Sequence, residues 1–235
     1  MPSIKNIIPG IIALFLSYAA QAQSLKAVQQ IEGIPPKVAY RAIAHDGSGK
    51  LYVATSVDVF MIPSNNNRAQ PMSVGDQIMD VDWSSDYGLI MLSKDGSIRF
   101  TATGKVLTVD AGTGATCMDV TKTMIWVGTN NGVSTVSIPQ EKVVKQYTTA
   151  DGILASNEIT FIHTDPSGIR WIGSRAGVVR IDGKKWKLYE KEQAITGITS
   201  TAEGAWMAAD SNMWLVDAYN RWYPIDAWRD LVEGP

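Results

Sequence analysis

Beyond residue 37 the apolar residues fall into short runs separated by clusters of Gly, Asp, Asn and Ser. This is the signature of short strands joined by tight turns. The clearest stretch is 159–189. It predicts a strand (Ile159-Thr160-Phe161-Ile162-His163), a turn (Asp165-Pro166-Ser167-Gly168) and a second strand (Arg170-Trp171-Ile172-Gly173). A turn (Ser174-Arg175-Ala176-Gly177), a third strand (Val178-Val179-Arg180-Ile181), a turn at Asp182-Gly183 and a fourth strand (Trp186-Lys187-Leu188-Tyr189) follow. Together they form one antiparallel meander.

The same grammar recurs along the chain. Anchored on the second strand, one column reads Tyr52, Ile90, Trp126, Trp171 and Trp206, and the turn column six residues later reads Asp58, Gly96, Gly132, Gly177 and Asn212. Gly, Asn and Asp tolerate positive φ, so a shared left-handed turn is expected there. Two residues after the anchor stand Ala54, Leu92, Gly128, Gly173 and Ala208, mostly small, which lets neighbouring sheets approach closely. The first turn recurs as Asp46-Gly47-Ser48-Gly49, Ser85-Asp86-Tyr87-Gly88 and Thr201-Ala202-Glu203-Gly204; the third copy departs, with only Thr121-Lys122-Thr123. No amphipathic helix of useful length follows residue 24.

A period near 40 residues with four strands per copy points to an all-β fold, a β-propeller of tandem four-stranded antiparallel blades. Five copies are visible, near 38–73, 78–109, 115–147, 157–189 and 194–223.

The run from Asp165 to Val178, and more loosely Ile125-Trp126-Val127-Gly128-Thr129-Asn130-Asn131-Gly132-Val133, resembles the two-component regulator propeller repeat. That resemblance is strong over 115–189 and weaker over 38–100 and 194–223. It implies an exported propeller of the kind found in the sensor portions of bacterial hybrid histidine kinases, many of which respond to glycans, and in free-standing exported propellers. No kinase, receiver or DNA-binding segment accompanies the repeats, and no membrane-spanning helix follows them.

Residues 1–22 read as a secretory signal: Lys5, an apolar run from Ile7 to Ala20, and the cleavage pattern Ala20-Gln21-Ala22, which leaves a propeller domain of 23–235. Pro9-Gly10 interrupts the run, which is too short to span a bilayer. Removal of this segment takes one basic residue and no acidic one, so the mature chain is net acidic and has no electrostatic reason to bind nucleic acid or an anionic membrane. The single cysteine, Cys117, excludes an intramolecular disulfide and lies far from the cleavage point that a lipoprotein would need. A packed core must hold the fold.

Trp126, Trp171 and Trp206 share a strand column and are expected in the core, whereas Trp83, Trp214 and Trp222 fit the pattern less well and are candidates for ligand contact. His45 and His163 each close a first strand beside a turn aspartate, and two separated histidines with one cysteine make neither a catalytic triad nor a metal centre. Neither a catalytic set nor a metal site nor a cofactor is therefore expected. Of the aspartates, Asp80 and Asp119 fall in first strands and are expected to line the central channel; Asp46, Asp165 and Asp182 belong to turns. The hairpins after the second strands share one face, a common ligand face in propellers. The candidate ligand-binding residues are Asp80, Lys94, Asp119, Asn130, Arg175 and Asp210.

The resulting expectation is an exported, non-enzymatic recognition or scaffold module at the periplasm or surface of a bacterium, sensing or binding glycans or envelope components, with a carbohydrate or another envelope protein as partner. Two alternatives carry different consequences: the sensor fragment of a truncated or split hybrid kinase, and a propeller lyase or lactonase built around a channel metal. Residues 28–35 parallel the outer strand and linker at 144–153, and Arg221-Trp222-Tyr223 already supplies an outer strand for the fifth copy. Either five copies belong to a longer propeller, or the N-terminal strand packs as an extra edge; the first is the expectation.

Overall fold

The computed structural model describes residues 31–110, 114–190, 193–201, 204–209, 212–217 and 219–225. The signal-like segment 1–22, Asp210 and the chain after residue 225 lie outside the described residues.

The five copies form five four-stranded antiparallel sheets, each in simple meander order, which makes the fold a β-propeller. The first sheet is β1 (Tyr40–His45), β2 (Leu51–Thr55), β3 (Val59–Ile62) and β4 (Gln70–Pro71). The second is β5 (Ile78–Ser84), β6 (Gly88–Ser93), β7 (Ser97–Phe100) and β8 (Val106–Thr108). The third is β9 (Ala115–Val120), β10 (Met124–Thr129), β11 (Gly132–Ser137) and β12 (Lys142–Tyr147). The fourth is β13 (Ile159–Thr164), β14 (Arg170–Ser174), β15 (Gly177–Asp182) and β16 (Lys185–Glu190); the fifth is β17 (Ile195–Thr201), β18 (Gly204–Ala209), β19 (Asn212–Asp217) and β20 (Trp222–Pro224). The one helical element among the described residues is a short 3-10 turn, Thr149–Asp151.

The chain divides after Tyr147 into two compact units, one of three sheets and one of two. In the first unit, Ala54, Val59, Ile78, Val81 and Leu89 fill the space between the first and second sheets. Leu92, Ile98, Phe100, Met118 and Ile125 do the same between the second and third. In the second unit, Trp171, Val178, Ile195, Ile198 and Met207 form the packing between its two sheets. Burial of such side chains is the main stabilising term, roughly 1.5–3 kcal/mol each.

The small-residue column has the expected consequence at Gly173. A Cβ there would stand 3.1 Å from both Cβ and Cγ2 of Ile195, so the fifth sheet approaches the fourth as closely as glycine permits. The turn column behaves less uniformly than expected. Gly96, Gly132 and Gly177 have φ of 91°, 104° and 145°. Asp58 is not left-handed and acts through its carboxylate instead, which accepts N–H groups of Val59, Ser73 and Val74 at 2.8, 2.9 and 3.1 Å. Those bonds tie the hairpin to the segment leaving the first sheet.

The first turns of the first and fourth sheets are built alike. Asp46 Oδ1 accepts the main-chain N–H of Ser48 and of Lys50, and Asp165 Oδ1 accepts those of Ser167 and Ile169, all within 3.1 Å. In the third sheet, where no such aspartate exists, the Thr121 main-chain N–H and hydroxyl both donate to the Met124 carbonyl, at 2.8 and 2.9 Å, and close the turn. Near the N-terminus Glu32 pairs in parallel with Arg68, so this segment lies against the outer edge of the first sheet.

Candidate functional site

In the first four sheets, the end carrying the hairpin between the second and third strands is built by three superimposed rules. The first lies under the surface. Thr55, Ser93, Thr129 and Ser174 occupy the last position of the second strand and are all buried. The hydroxyls of Thr55, Thr129 and Ser174 donate to the carbonyls of Asp58, Gly132 and Gly177 at 2.8, 3.0 and 3.0 Å. Each hydroxyl closes its own hairpin and so fixes the geometry of what lies above. This column was not singled out from the sequence, although its offset of three residues from the Trp171 column was available there.

The second rule concerns the next residue along. The main-chain N–H of Ser56, Lys94, Asn130 and Arg175 donates to the carbonyl of Ala39, Gln77, Gly114 and Glu158, at 2.7, 2.9, 3.2 and 3.1 Å. The bond continues the ladder one step past the strands and leaves the side chain outside. Lys94, Asn130 and Arg175 are therefore equivalent positions in three sheets, and all three are exposed. Arg175 is ion-paired with Glu158. Asp210, the counterpart by sequence in the fifth copy, lies outside the described residues.

The third rule is a one-residue bulge in every first strand, at the same end. The pairing skips Arg41, Met79, Thr116, Thr160 and Thr196. A bulge turns the strand's next side chains and is commonly found beside functional sites. Alternating-pattern reading cannot locate such a residue, because the bulge breaks the two-residue period on which that reading depends.

Asp80 and Asp119, the other two candidates, stand deeper along β5 and β9. The Asp80 carboxylate accepts the N–H of Val81 at 2.8 Å with one oxygen and that of Met118 at 2.7 Å with the other. Asp82 repeats this with Trp83 and Val120, at 2.7 and 3.2 Å. Two carboxylates on alternate residues of β5 thus clip the main chain of β9. Burial pushes Asp80 up to about 7 and Asp82 up to about 6, against the pull of these N–H donors; neighbouring carboxylates, Asp119 among them, add to the rise, while His45 lowers Asp82 slightly. Burial also raises the Cys117 thiol well above its ordinary range. The second unit joins its two sheets by different chemistry. His163 Nε2 meets the Ser200 hydroxyl at 2.6 Å, and the Thr160 hydroxyl donates to the Ile195 carbonyl.

No protein-family model and no curated protein matches this chain. Solved structures do resemble it. One is the extracellular domain of BT4673 from B. thetaiotaomicron, described as part of a one-component or hybrid two-component system. It has a TM-score of 0.65 and 14% identity over 80% of this chain and 29% of that one. Another is the extracellular domain of BT3049, from a hybrid two-component system of the same organism, with a TM-score of 0.64 and 16% identity over 87% of this chain and 30% of that one. A streptogramin B lyase matches with a TM-score of 0.69 and 14% identity, over 84% of this chain and 72% of that one. This chain spans about three-tenths of the length of the two extracellular domains. At these identities the likeness shows the fold, a β-propeller.

The tryptophans are used in packing. Trp171 is 3% exposed and sits between the fourth and fifth sheets, whereas Trp126 and Trp206 of the same column are only half-buried. Trp126 stacks on Tyr147 with ring centres 5.8 Å apart. Trp83 stacks on Tyr52 at 5.6 Å, and Trp214 and Trp222 pack edge to face beside the cluster around Trp171. Among the described residues the exposed aromatics are instead Tyr40, Tyr219 and Tyr223, and the last two flank the Arg221 guanidinium that Asp217 holds. Among the described residues no three His, Cys, Asp or Glu side chains are grouped to hold a metal ion, and no helix is long and apolar enough to cross a membrane.

Proposed function

We infer that this protein is an exported β-propeller recognition module of the two-component regulator propeller type, non-enzymatic, whose hairpin ends bind a component of the cell envelope such as a glycan. The observation that carries the reading is the contrast between two adjacent columns. Beneath the surface, the hydroxyls of Thr55, Thr129 and Ser174 set the same hairpin, and Ser93 is the buried residue at that place in the second sheet. Directly above, on one ladder bond, the exposed residue changes from Ser56 to Lys94 to Asn130 to Arg175. A repeated support presenting a different side chain in each of the three sheets of the first unit suits recognition of an asymmetric ligand.

The likeness to extracellular domains of two-component systems supports export and a sensing role, and the signal-like residues 1–22 agree with it. The lyase reading rests on the streptogramin B lyase likeness, which speaks for the fold, and the described carboxylates Asp80 and Asp82 are occupied by main-chain N–H groups.

A thermal-shift screen of oligosaccharides and envelope fragments tests the reading, because a ligand of the native state raises the melting temperature by mass action. A hit whose shift is abolished by Ser56→Ala combined with Asn130→Ala, and kept by Val143→Thr on the outer strand β12, is the expected result. Hits that ignore the hairpin residues, or turnover of a bound compound, would overturn it.

A further inference from the structure

We propose that the bulge of β1 is an oxyanion-binding subsite, with Arg41 as its anchor and Lys94 as a second cation, taking a carboxylate or phosphate group of a small solute. The inference rests on the recognition reading above and names the ligand chemistry of one part of that face.

Arg41 is the residue that the β1–β2 pairing skips, and the bulge sets its side chain against that of Met79, the corresponding bulged residue of β5. Its Nη1 donates to the Met79 thioether, a weak acceptor. Its Nε is buried and has no hydrogen-bond partner. No other arginine among the described residues holds a buried nitrogen without an acceptor. A buried cationic donor left in this state is costly unless an acceptor arrives.

The nearest carboxylate in sequence to that contact does not supply it. Asp80 follows Met79 directly, yet its two oxygens are engaged by the N–H groups of Val81 and Met118. Other arginines are neutralised locally: Arg99 by Asp76, Arg175 by Glu158, Arg180 by Asp182 and Arg221 by Asp217. Arg41 has no such partner among the described residues.

Lys94 lies at the same end of the second sheet. Its N–H is bonded to the carbonyl of Gln77, two residues before Met79, and its side chain is exposed, with no carboxylate partner among the described residues. Lys94, whose side chain runs along Gly114 just before β9, is thus a second cation without such a partner at this end of the second sheet. A guanidinium presents its N–H groups as a planar fork that matches a carboxylate or phosphate bidentately, and an ammonium nearby adds charge without demanding direction. An oxyanion that draws the guanidinium off the Met79 thioether brings an acceptor to Nε, which is otherwise buried, and neutralises the charge.

The test uses the full mature chain as wild type, Arg41→Met and Lys94→Ala. Citrate, inorganic phosphate and neutral maltotriose are titrated separately at constant ionic strength, with binding read by calorimetry and by tryptophan fluorescence. Arg41→Met keeps the length of the side chain, and Lys94→Ala alters only an exposed group, so that the second variant remains informative if the first fails to fold. Saturable binding of citrate, of phosphate or of both, weakened about tenfold or more by Arg41→Met and several-fold by Lys94→Ala, is the expected outcome. Citrate alone assigns the site to carboxylate-bearing solutes, and phosphate alone to phosphoesters; both support it. Failure of both anions to bind the wild type, or equal anion binding by all three proteins, overturns the proposal. Binding of a neutral oligosaccharide by all three proteins alike, with no anion bound, overturns the subsite and leaves the recognition reading standing.

Discussion

Asp80 and Met118 are joined across 38 residues of chain: a carboxylate oxygen of the second sheet accepts the main-chain N–H of the third at 2.7 Å. The neighbouring bond from Val120 to Asp82 repeats the contact two residues along. Both carboxyls are raised by burial, to about 7 and about 6. Each is thus protonated more readily in the folded chain than in the unfolded one, where an aspartate titrates near 3.9. The stability associated with the neutral form is fully present below that unfolded value and is lost as pH rises through 6 to 7.

The first prediction is therefore a fall in stability between pH 5 and pH 8, on the order of 4 kcal/mol from these two groups together. Chemical denaturation at a series of pH values measures it. Asp80→Asn combined with Asp82→Asn should flatten the profile over this window, with His45, Asp119 and Cys117, the titratable groups around them, left in place. An unchanged slope in the double variant would mean that the two carboxyls are ionised and comfortable in the folded state.

Hairpin geometry provides the second. Gly177 has φ of 145°, where a β-branched residue is strained, and the buried Ser174 hydroxyl bonds its carbonyl. Ser174→Ala should cost about 1 kcal/mol, the worth of one buried hydrogen bond, and lower the melting temperature by about 2–4 °C. Gly177→Val should cost clearly more. Equal melting temperatures for the two variants would show that the turn is not under conformational constraint.

Close approach of the last two sheets provides the third. Gly173→Ala places a methyl group 3.1 Å from Ile195, and the fifth sheet must move to accept it. A loss of about 1–3 kcal/mol is expected, and Gly173→Ala combined with Ile195→Ala, which removes the Cγ2 in contact, should lose less than the two single variants summed. Additive losses would indicate that the two positions do not touch.

Trp171 supplies the fourth. It is almost fully buried, its indole nitrogen has no hydrogen-bond partner, and the Arg180 guanidinium lies over its ring, so it contributes by packing and by that cation–π contact. Trp171→Ala should cost about 3–5 kcal/mol in equilibrium unfolding. A loss below about 1 kcal/mol would place the ring at the surface and make it available to a ligand.

The repeat, the strand order and the turn chemistry were legible in the chain because they depend on neighbours a few residues apart. Asp165-Pro166-Ser167-Gly168 closes its turn through one carboxylate, and Gly177 needs positive φ whatever surrounds it. Apolar residues in short strands then imply sheets that must pack face to face. Lys94, Asn130 and Arg175 were visible as hairpin residues for the same reason, though not that one ladder bond makes them equivalent.

What tertiary structure decided are the contacts between sheets, set by residues nearly 40 positions apart whose relative register no local pattern encodes. It turned Asp80 and Asp82 into clips on the third sheet, paired His163 with Ser200, and stacked Trp83 on Tyr52. It also placed Asp58, expected in a left-handed turn, where its carboxylate binds three main-chain N–H groups. Arg41 is the sharpest case: in sequence it is one cation among many. Only the bulge, and the thioether that the fold sets before its guanidinium, leave it without an anion.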